Sequence, residues 1–133
     1  MKIRIYRTRW PMCDNVVISL LEDCVQVGIV ELKIFKKGEH EGECFIWNLH
    51  VNAERRGKGY GHILLKAATN IAKNSDCKEA ILDWNLKENP KWPVWEFDWY
   101  IRNGFEGREF GQDRTFMVKT LKEEKNEKLQ TIY

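Results

Sequence analysis

One glycine-rich stretch separates two parts of the chain that differ in periodicity. Residues 53–68, AERRGKGYGHILLKAA, place three glycines directly before a run in which apolar residues recur at helical spacing. The residues before this stretch have strand character instead, in the segments 2–7, 16–22, 25–35 and 43–51. A short apolar segment at 79–85 follows the helical run. This order predicts a strand–helix–strand unit with parallel strands and a right-handed crossover.

Short connections join the strands of the first half. Residues 8–15, TRWPMCDN, are predicted to form the loop between the first two strands. Asp23 and Cys24 separate the second strand from the third and predict a hairpin turn. A polar turn at 36–42 precedes the fourth strand. No segment of the first half has a helical pattern, so we expect a strand meander there.

The second half adds another helix and two strands. A helix is predicted over roughly 93–103, starting at Asn89-Pro90 or at Pro93 and ending at Gly104, a residue type that suits a C-terminal cap. Two final strands are predicted within 105–111 and 114–121, joined around Gln112-Asp113. The whole pattern predicts an α/β (α+β) fold, with a mixed, mainly antiparallel sheet of about six to seven strands and two main helices. We expect a single domain over 1–121, followed by a charged tail at 122–133.

Composition excludes several classes of protein. The 133 residues contain no apolar run of the roughly 20 residues that a bilayer span needs, and the N-terminus has no signal-peptide pattern. We therefore expect a cytoplasmic protein that does not bind membranes. The net charge of +2 argues against general binding of nucleic acid. The four cysteines are widely spaced, so the sequence predicts neither a zinc site nor a disulfide framework.

The glycine-rich turn has the chemistry of an anion site. Backbone N–H groups at a helix N-terminus lack intrahelical partners, and together with the helix dipole they favour a phosphate. Glycine lets a ligand approach the backbone and permits positive φ. Arg55, Arg56 and Lys58 add positive charge at the same place. The alternative is a flexible turn with a solvated basic face, and neither the Walker nor the Rossmann glycine pattern fits this spacing.

Two separated motifs resemble those of the GNAT family of N-acetyltransferases. Arg56-x-x-Gly59-x-Gly61 matches the R-x-x-G-x-G/A signature of that family, and Val51 stands at the expected place before it. Downstream, WYIRNGF at 99–105 is similar to the family's aromatic segment, with Tyr100, Gly104 and Phe105 in register. The resemblance runs from about residue 28 to 120.

The resemblance implies a cosubstrate and a set of site residues. The pyrophosphate of acetyl-CoA would bind to the backbone from Arg56 to Gly61, which comprises Arg56, Gly57, Lys58, Gly59, Tyr60 and Gly61. The pantetheine arm would pair with the strand that ends at Leu49, His50 and Val51. Tyr100 matches the general acid that protonates the departing thiolate. Members of the family transfer an acetyl group directly to an amine without a metal, so the partners would be acetyl-CoA and an amine acceptor, either a small molecule or a peptide or protein.

The sequence departs from the family at the expected base. Relatives often carry a glutamate or histidine on the fourth strand, but the matching positions are Phe45 and Trp47, which cannot take a proton. Strict alternation would place residues 45, 47, 49 and 51 on one face, with His50 on the other. The remaining polar candidates are Glu43, Asp83, Asn85, Glu96 and Asp98. A water chain or an already neutral acceptor are the alternatives.

Two further departures concern the helices. Relatives carry two helices between the first and second strands, whereas only the predicted loop 8–15 is present here. The acceptor side would then be open to a large substrate or completed by a second subunit. Relatives also often place an asparagine just before the second helix, and the matching position is Pro93; Asn85 or Asn89 could substitute.

Other functions remain as alternatives. The absence of an acid–base residue at positions 45 and 47 is compatible with a non-catalytic acyl-CoA-binding or regulatory domain of the same fold. A nucleic-acid module that uses ERRGKG is disfavoured by the low net charge. Trp47, Trp95 and Trp99 could line an acceptor site, but packing in the core or in a homodimer interface is the commoner role of such residues.

Overall fold

A computed structural model describes residues 1–84, 94–110 and 114–122. Within them, seven strands and two α-helices follow one another in an order close to the one predicted. They are β1 Lys2–Arg9, β2 Cys13–Glu22, β3 Val25–Phe35, β4 Glu43–Val51, α1 Tyr60–Asn74, β5 Glu79–Trp84, α2 Val94–Arg102, β6 Glu106–Phe110 and β7 Arg114–Thr120, with a short 3-10 helix, Ala53–Arg55, before α1. The turn expected at Gln112-Asp113 and the alternative starts of the second helix lie outside the described residues.

The strands form one sheet in the order β1-β2-β3-β4-β5-β7-β6. All neighbouring pairs are antiparallel except β4 and β5, which are parallel and are joined through α1. The prediction of a mixed, mainly antiparallel sheet with two main helices and one parallel crossover is therefore confirmed. The predicted hairpin at Asp23 and Cys24 is also confirmed, and both residues adopt positive φ, 51° and 66°.

The predicted loop at 8–15 is wrong, because the first two strands continue through most of it. Thr8 pairs with Asn15 and Arg9 with Asp14, which leaves only residues 10–12 between the strands. Asp14 is fully buried at this end and forms ion pairs with Arg7 at 2.8 Å and with Lys36 at 2.7 Å. These charged contacts stabilise the ladder in a segment whose residue types indicate a loop.

Both helices pack on one face of the sheet. Alternate residues of β2 and β3 on that face, such as Ile18 and Leu32, form one buried cluster with Leu64 and Ala68 of α1. The approach of α1 is close, because a Cβ built on Gly28 of β3 would lie 2.8 Å from Leu64 Cδ1. Helix α2 belongs to the same cluster through Tyr100. Gly104, directly after α2, has a φ of +92°, which confirms the predicted C-terminal cap.

A β-bulge in β4 corrects the predicted alternation. Glu31 pairs with Trp47 and Ile29 with His50, so β4 contains one more residue than β3 between these pairs. Asn48 lies in the bulge with a φ of +54°. Past the bulge, Leu49 and Val51 pack towards the core, on the same side as Cys44 and Ile46.

The bulge also changes the face on which His50 lies. Strict alternation puts His50 on the face opposite Trp47, and this prediction is wrong. Because Ile29 and Glu31 are two residues apart on β3, their partners His50 and Trp47 share one face. That face is the one opposite α1.

Candidate functional site

The parallel strands β4 and β5 pair over only part of their length. The ladder joins Glu43–Phe45 to Glu79–Ile81, although β4 continues to Val51 and β5 to Trp84. Beyond Phe45, the edge of β4 that faces β5 has backbone N–H and C=O groups without a ladder partner in β5. Such groups need other partners, and an extended ligand can provide them. Leu49 and Val51, expected to contact the pantetheine arm, lie half-buried on this open part of β4.

The glycine-rich turn lies at the end of this open strand. After Val51 and the short 3-10 helix, residues 56–59 lead into α1 at Tyr60. Gly57 and Gly59 both have a φ of +82°, and a Cβ on either would meet no atom within 4 Å. Glycine is therefore needed here for the backbone conformation, and the space in front of the turn is open.

The first turn of α1 has no side-chain cap. Gly59 is the N-cap residue, and no side-chain hydrogen bond reaches the helix N-terminus. Its free N–H groups and the helix dipole point towards the open space at the turn. The Nε group of Arg56 donates to Val51 O at 3.1 Å, which ties the turn to the end of β4. The turn therefore has the geometry and charge of a phosphate site.

A carboxylate that the sequence analysis missed fixes the orientation of Tyr60. The Tyr60 hydroxyl donates to Glu22 Oε2 at 2.5 Å, and Arg55 Nε lies 3.9 Å from the same oxygen. The hydrogen bond from Tyr60 lowers the pKa of the Glu22 carboxyl, and the same bond raises the pKa of the Tyr60 hydroxyl. The hydroxyl of Tyr60 is bonded to Glu22, so we expect Tyr60 to bind a ligand through its backbone N–H, in the uncapped first turn of α1. Glu22 lies in the β2–β3 hairpin, 38 residues away in sequence, and no local signal marks it.

Tyr100 lies in the part of α2 that approaches this turn. Its neighbour Trp99 would contact a Cβ on Gly61 at 3.6 Å, and His62 Nδ1 is 2.8 Å from Asn103 Oδ1. The Tyr100 ring is buried, 6% exposed, and packs edge-on against Trp99 with ring centroids 5.0 Å apart. The structure thus brings the helix that carries Tyr100 next to the start of α1. A role for Tyr100 as general acid stays a prediction.

The expected positions of a base hold aromatic side chains. Phe45 is half-buried and Trp47 is 54% exposed. Of the other candidates, Glu43 is hydrogen-bonded to His40 Nδ1 at 2.8 Å and Asp98 is exposed on α2. The side chains of Asp83, Asn85 and Glu96 lie outside the described residues, as do Asn89, Pro93 and the side chain of Trp95.

Within the described part of the chain, the sheet face opposite α1 and α2 is exposed around Trp47. Three residues join β1 to β2 and contain no helix, as the sequence predicts. That the acceptor side is open stays a prediction. Tyr6 on β1 and Trp47 on β4 are both more than half exposed, at 58% and 54%. The same face carries Glu31, directly opposite Trp47, which the sequence analysis did not single out.

Two kinds of feature, a metal cluster and a membrane-spanning helix, are absent from the described residues. Within residues 1–84, 94–110 and 114–122, no cluster of three or more His, Cys, Asp or Glu side chains could hold a metal ion. Neither helix in these ranges has the length and apolar character that a membrane crossing requires.

Solved structures share this fold. The PaiA N-acetyltransferase of Thermoplasma acidophilum, solved with coenzyme A, matches with a TM-score of 0.66 and 23% identity over 80% of this chain, which spans 60% of that protein. A putative acyl-CoA N-acyltransferase of Klebsiella pneumoniae matches with a TM-score of 0.65 and 21% identity over 81% of this chain and 73% of its own. The ribosomal-protein-alanine N-acetyltransferase of Brucella melitensis matches with a TM-score of 0.64 and 20% identity over 80% of this chain and 69% of its own.

Sequence comparison supplies the family. No curated protein matches the chain at a significant level. The profile of the acetyltransferase (GNAT) family matches residues 4–99, a range that contains the glycine-rich turn and most of the sheet. With the motif at Arg56–Gly61, the interrupted β4–β5 pairing and this match in agreement, the chain belongs to the GNAT acetyltransferase family.

Proposed function

We propose that this protein is an acetyl-CoA-dependent N-acetyltransferase that moves an acetyl group directly to a primary amine. The observation that carries the proposal is the uncapped N-terminus of α1, which lies at the end of the part of β4 that is not paired with β5. The helix N-terminus suits an anion, and the free edge of β4 next to it suits an extended chain with amide groups. Coenzyme A has a pyrophosphate followed by an amide-containing arm, so its two parts match these two features in the same order.

The residues around the turn have separate roles in this proposal. The backbone N–H groups from Arg56 to Gly61 bind the pyrophosphate, with Lys58 adding charge at the exposed side. The free edge of β4 at Leu49 and Val51 binds the arm by backbone hydrogen bonds and directs it towards Phe45 and Ile81, where the strands pair again. The thioester then lies near the centre of the sheet.

The chemistry is a direct transfer. The neutral amine attacks the thioester carbonyl carbon, a C–N bond forms and the C–S bond breaks. Tyr100 gives its proton to the departing sulfur, and the amine loses a proton to water. None of these roles requires a metal ion.

Turnover separates this proposal from its alternative. A non-catalytic acyl-CoA-binding domain is favoured by one observation, the aromatic residues at 45 and 47 where relatives carry a base. Release of free CoA thiol, measured with a panel of primary amines, tests for catalysis. We expect kcat to fall about 100-fold in Tyr100→Phe, within the usual contribution of a general acid, with little change in acetyl-CoA binding. Binding without turnover for any amine would favour the alternative, and unchanged kcat in Tyr100→Phe would remove Tyr100 from the mechanism.

Three expectations accompany this proposal. A cytoplasmic location, a homodimer and a domain that ends at residue 121 all stay predictions. The acceptor is a small molecule or an amine on a peptide or protein, and the open face around Trp47 admits either class.

A further inference from the structure

The open sheet face carries one carboxylate that differs from its neighbours. Glu43 and Glu79 on this face are bonded to His40 at 2.8 Å and to Arg108 at 2.8 Å. Glu31 on β3 is half-buried and accepts a hydrogen bond from Asn48 Nδ2 at 2.7 Å. Across the described ranges, no cationic side chain forms an ion pair with Glu31. A charged group is thus held in position at the sheet surface with part of its bonding capacity unused.

An exposed tryptophan lies directly beside this carboxylate. Trp47 is the register partner of Glu31, and side chains at such opposed positions have Cβ atoms roughly 5 Å apart. Trp47 belongs to β4, the central strand of the sheet, yet its side chain is 54% exposed. An indole face and a carboxylate side by side attract the same kind of group, a cation. We call Glu31 and Trp47 together the cation subsite.

The cation subsite lies beside the proposed reaction centre. Pairing between β4 and β5 ends at Phe45 and Ile81, two residues before Trp47. Glu31 lies on β3, and β4 stands between β3 and that gap. One to two strand spacings, roughly 5–10 Å, therefore separate Glu31 from the gap. An ammonium bound to Glu31 keeps its proton and has no lone pair for attack on the thioester. The group held there must therefore differ from the reacting amine.

We infer that the acceptor carries a second positive charge, which binds between Glu31 and Trp47 while a neutral amine of the same molecule reacts in the gap between β4 and β5. This inference rests on the proposed function and specifies the acceptor class, a diamine or a peptide with two basic groups. Lys33 lies on the same face, two residues and roughly 7 Å along β3 from Glu31. Its positive charge weakens the attraction of the cation subsite for a second cation. The expected gain in affinity is therefore modest, about fivefold, the range of an exposed ion pair combined with a cation–π contact.

A matched pair of amines tests the inference. Hexamethylenediamine and hexylamine share one chain and one reactive amine and differ in the second charge. Their dissociation constants are measured by calorimetry on the wild-type protein, on Glu31→Gln and on the control Glu39→Gln, which changes an exposed carboxylate in the β3–β4 turn. Glu31→Gln retains the side-chain shape and an acceptor for Asn48, so its folding is preserved. Trp47→Leu provides a second, independent variant.

The inference predicts about fivefold tighter binding of the diamine by the wild-type protein and by Glu39→Gln, and loss of this preference in Glu31→Gln. Trp47→Leu reduces the preference by about threefold. Equal affinity for the two amines, or a preference that persists in Glu31→Gln, would overturn it. Free CoA release measured with the same amines reports on the proposed function separately. Turnover of both amines without preference contradicts the inference alone, whereas Glu31-dependent binding that is never followed by transfer contradicts the role as acceptor.

Discussion

At the residue scale, the glycines of the turn serve two different purposes. Gly59 has a φ of +82°, and a Cβ on it would meet nothing within 4 Å. Gly61 lies inside α1, where a Cβ would make an ordinary contact with Trp99 at 3.6 Å. The first glycine is required by its backbone conformation and the second is not. Substitution by alanine separates these two cases.

We predict opposite effects of Gly59→Ala and Gly61→Ala on stability. Gly59→Ala lowers the free energy of unfolding by about 1 kcal/mol, because alanine is strained at positive φ. Gly61→Ala raises it by about 0.5 kcal/mol, because alanine has the higher helix propensity. Urea denaturation of the two variants and the wild type checks both values. A loss of similar size in both variants would mean that the space around Gly61 is tighter than the contact with Trp99 indicates.

Asp14 should make stability depend on pH at the acid end. Burial raises the pKa of its carboxyl, but hydrogen bonds and charge from Lys36 and Arg7 outweigh burial, and the pKa lies below its usual value of 3.8. A carboxyl with a lowered pKa in the folded state contributes stability above the unfolded pKa, and this contribution is lost as the pH falls through the folded value.

The stability difference between the wild-type protein and Asp14→Asn is therefore expected to be largest near pH 7 and to shrink as the pH falls below 3.8. Thermal unfolding of both proteins from pH 7 to pH 3 measures this difference. Asn keeps the size of the side chain and removes the charge, so the comparison isolates the ion pairs of Asp14 with Arg7, Arg9 and Lys36. A difference that stays constant over the range would show that the charge of Asp14 contributes nothing.

At the scale of single elements, the bulge in β4 decides which side chains face the candidate acceptor side. It directs Leu49 and Val51 towards the core and places His50 with Trp47 on the open face. Asn48 makes the bulge possible because asparagine tolerates positive φ better than most residues. Its hydrogen bond to Glu31 connects the bulge to the neighbouring strand.

The bulge should tolerate glycine and reject a β-branched residue. Asn48→Gly relieves the strain at a φ of +54° but loses the bond to Glu31, so we expect a loss below about 1 kcal/mol. Asn48→Val combines that loss with the strain of a branched side chain at positive φ, and should cost about 2 kcal/mol. Chemical denaturation distinguishes the two variants. If Asn48→Val were the more stable one, the bulge would have to shift to another residue.

At the scale of the whole molecule, the end of the last strand is tied to the rest of the domain. Leu121 N donates to Lys78 O at 2.8 Å, and Lys122 Nζ lies 2.7 Å from the exposed Asp76 carboxylate. That the domain ends near residue 121 stays a prediction. A variant that ends at Lys122 should keep its melting temperature within about 3 °C of the full chain, a change worth less than 1 kcal/mol in a domain of this size. A larger fall would assign the tail a structural role.

The sequence was most informative where periodicity and motif agreed. The strands, α1, the parallel crossover and the cap at Gly104 follow from local patterns, because each depends on residues near in sequence. The extent of β1 and β2 was missed, because the ion pairs of Asp14 with Arg7 and Lys36 stabilise strand pairing in a segment with loop-like composition. The bulge at Asn48 was missed because one additional residue leaves no mark in a strand pattern.

The candidate site shows the same difference between features that depend on residues near in sequence and features that depend on contacts made by the fold. The turn from Arg56 to Gly61 could be proposed as a phosphate site from one motif, since such a site depends on backbone conformation, which glycine encodes directly. Glu22 and Glu31 could not be found, because they meet Tyr60 and Trp47 only through the fold. The sequence did predict that no helices lie between β1 and β2, because the connection is too short to contain them.

The central claim, that coenzyme A binds at the glycine-rich turn, is tested most directly by thermal unfolding with and without acetyl-CoA. Desulfo-CoA and ATP serve as ligand controls, and Lys58→Glu is compared with Lys66→Glu, an exposed charge reversal further along α1. At about 100 times the dissociation constant, a ligand that binds only the folded protein adds about 2.7 kcal/mol and raises the melting temperature clearly. We predict this rise with acetyl-CoA and desulfo-CoA, a smaller rise with ATP, and a reduced rise in Lys58→Glu alone. An absent rise at saturating acetyl-CoA, or one reduced equally in Lys66→Glu, would contradict the assignment of the turn.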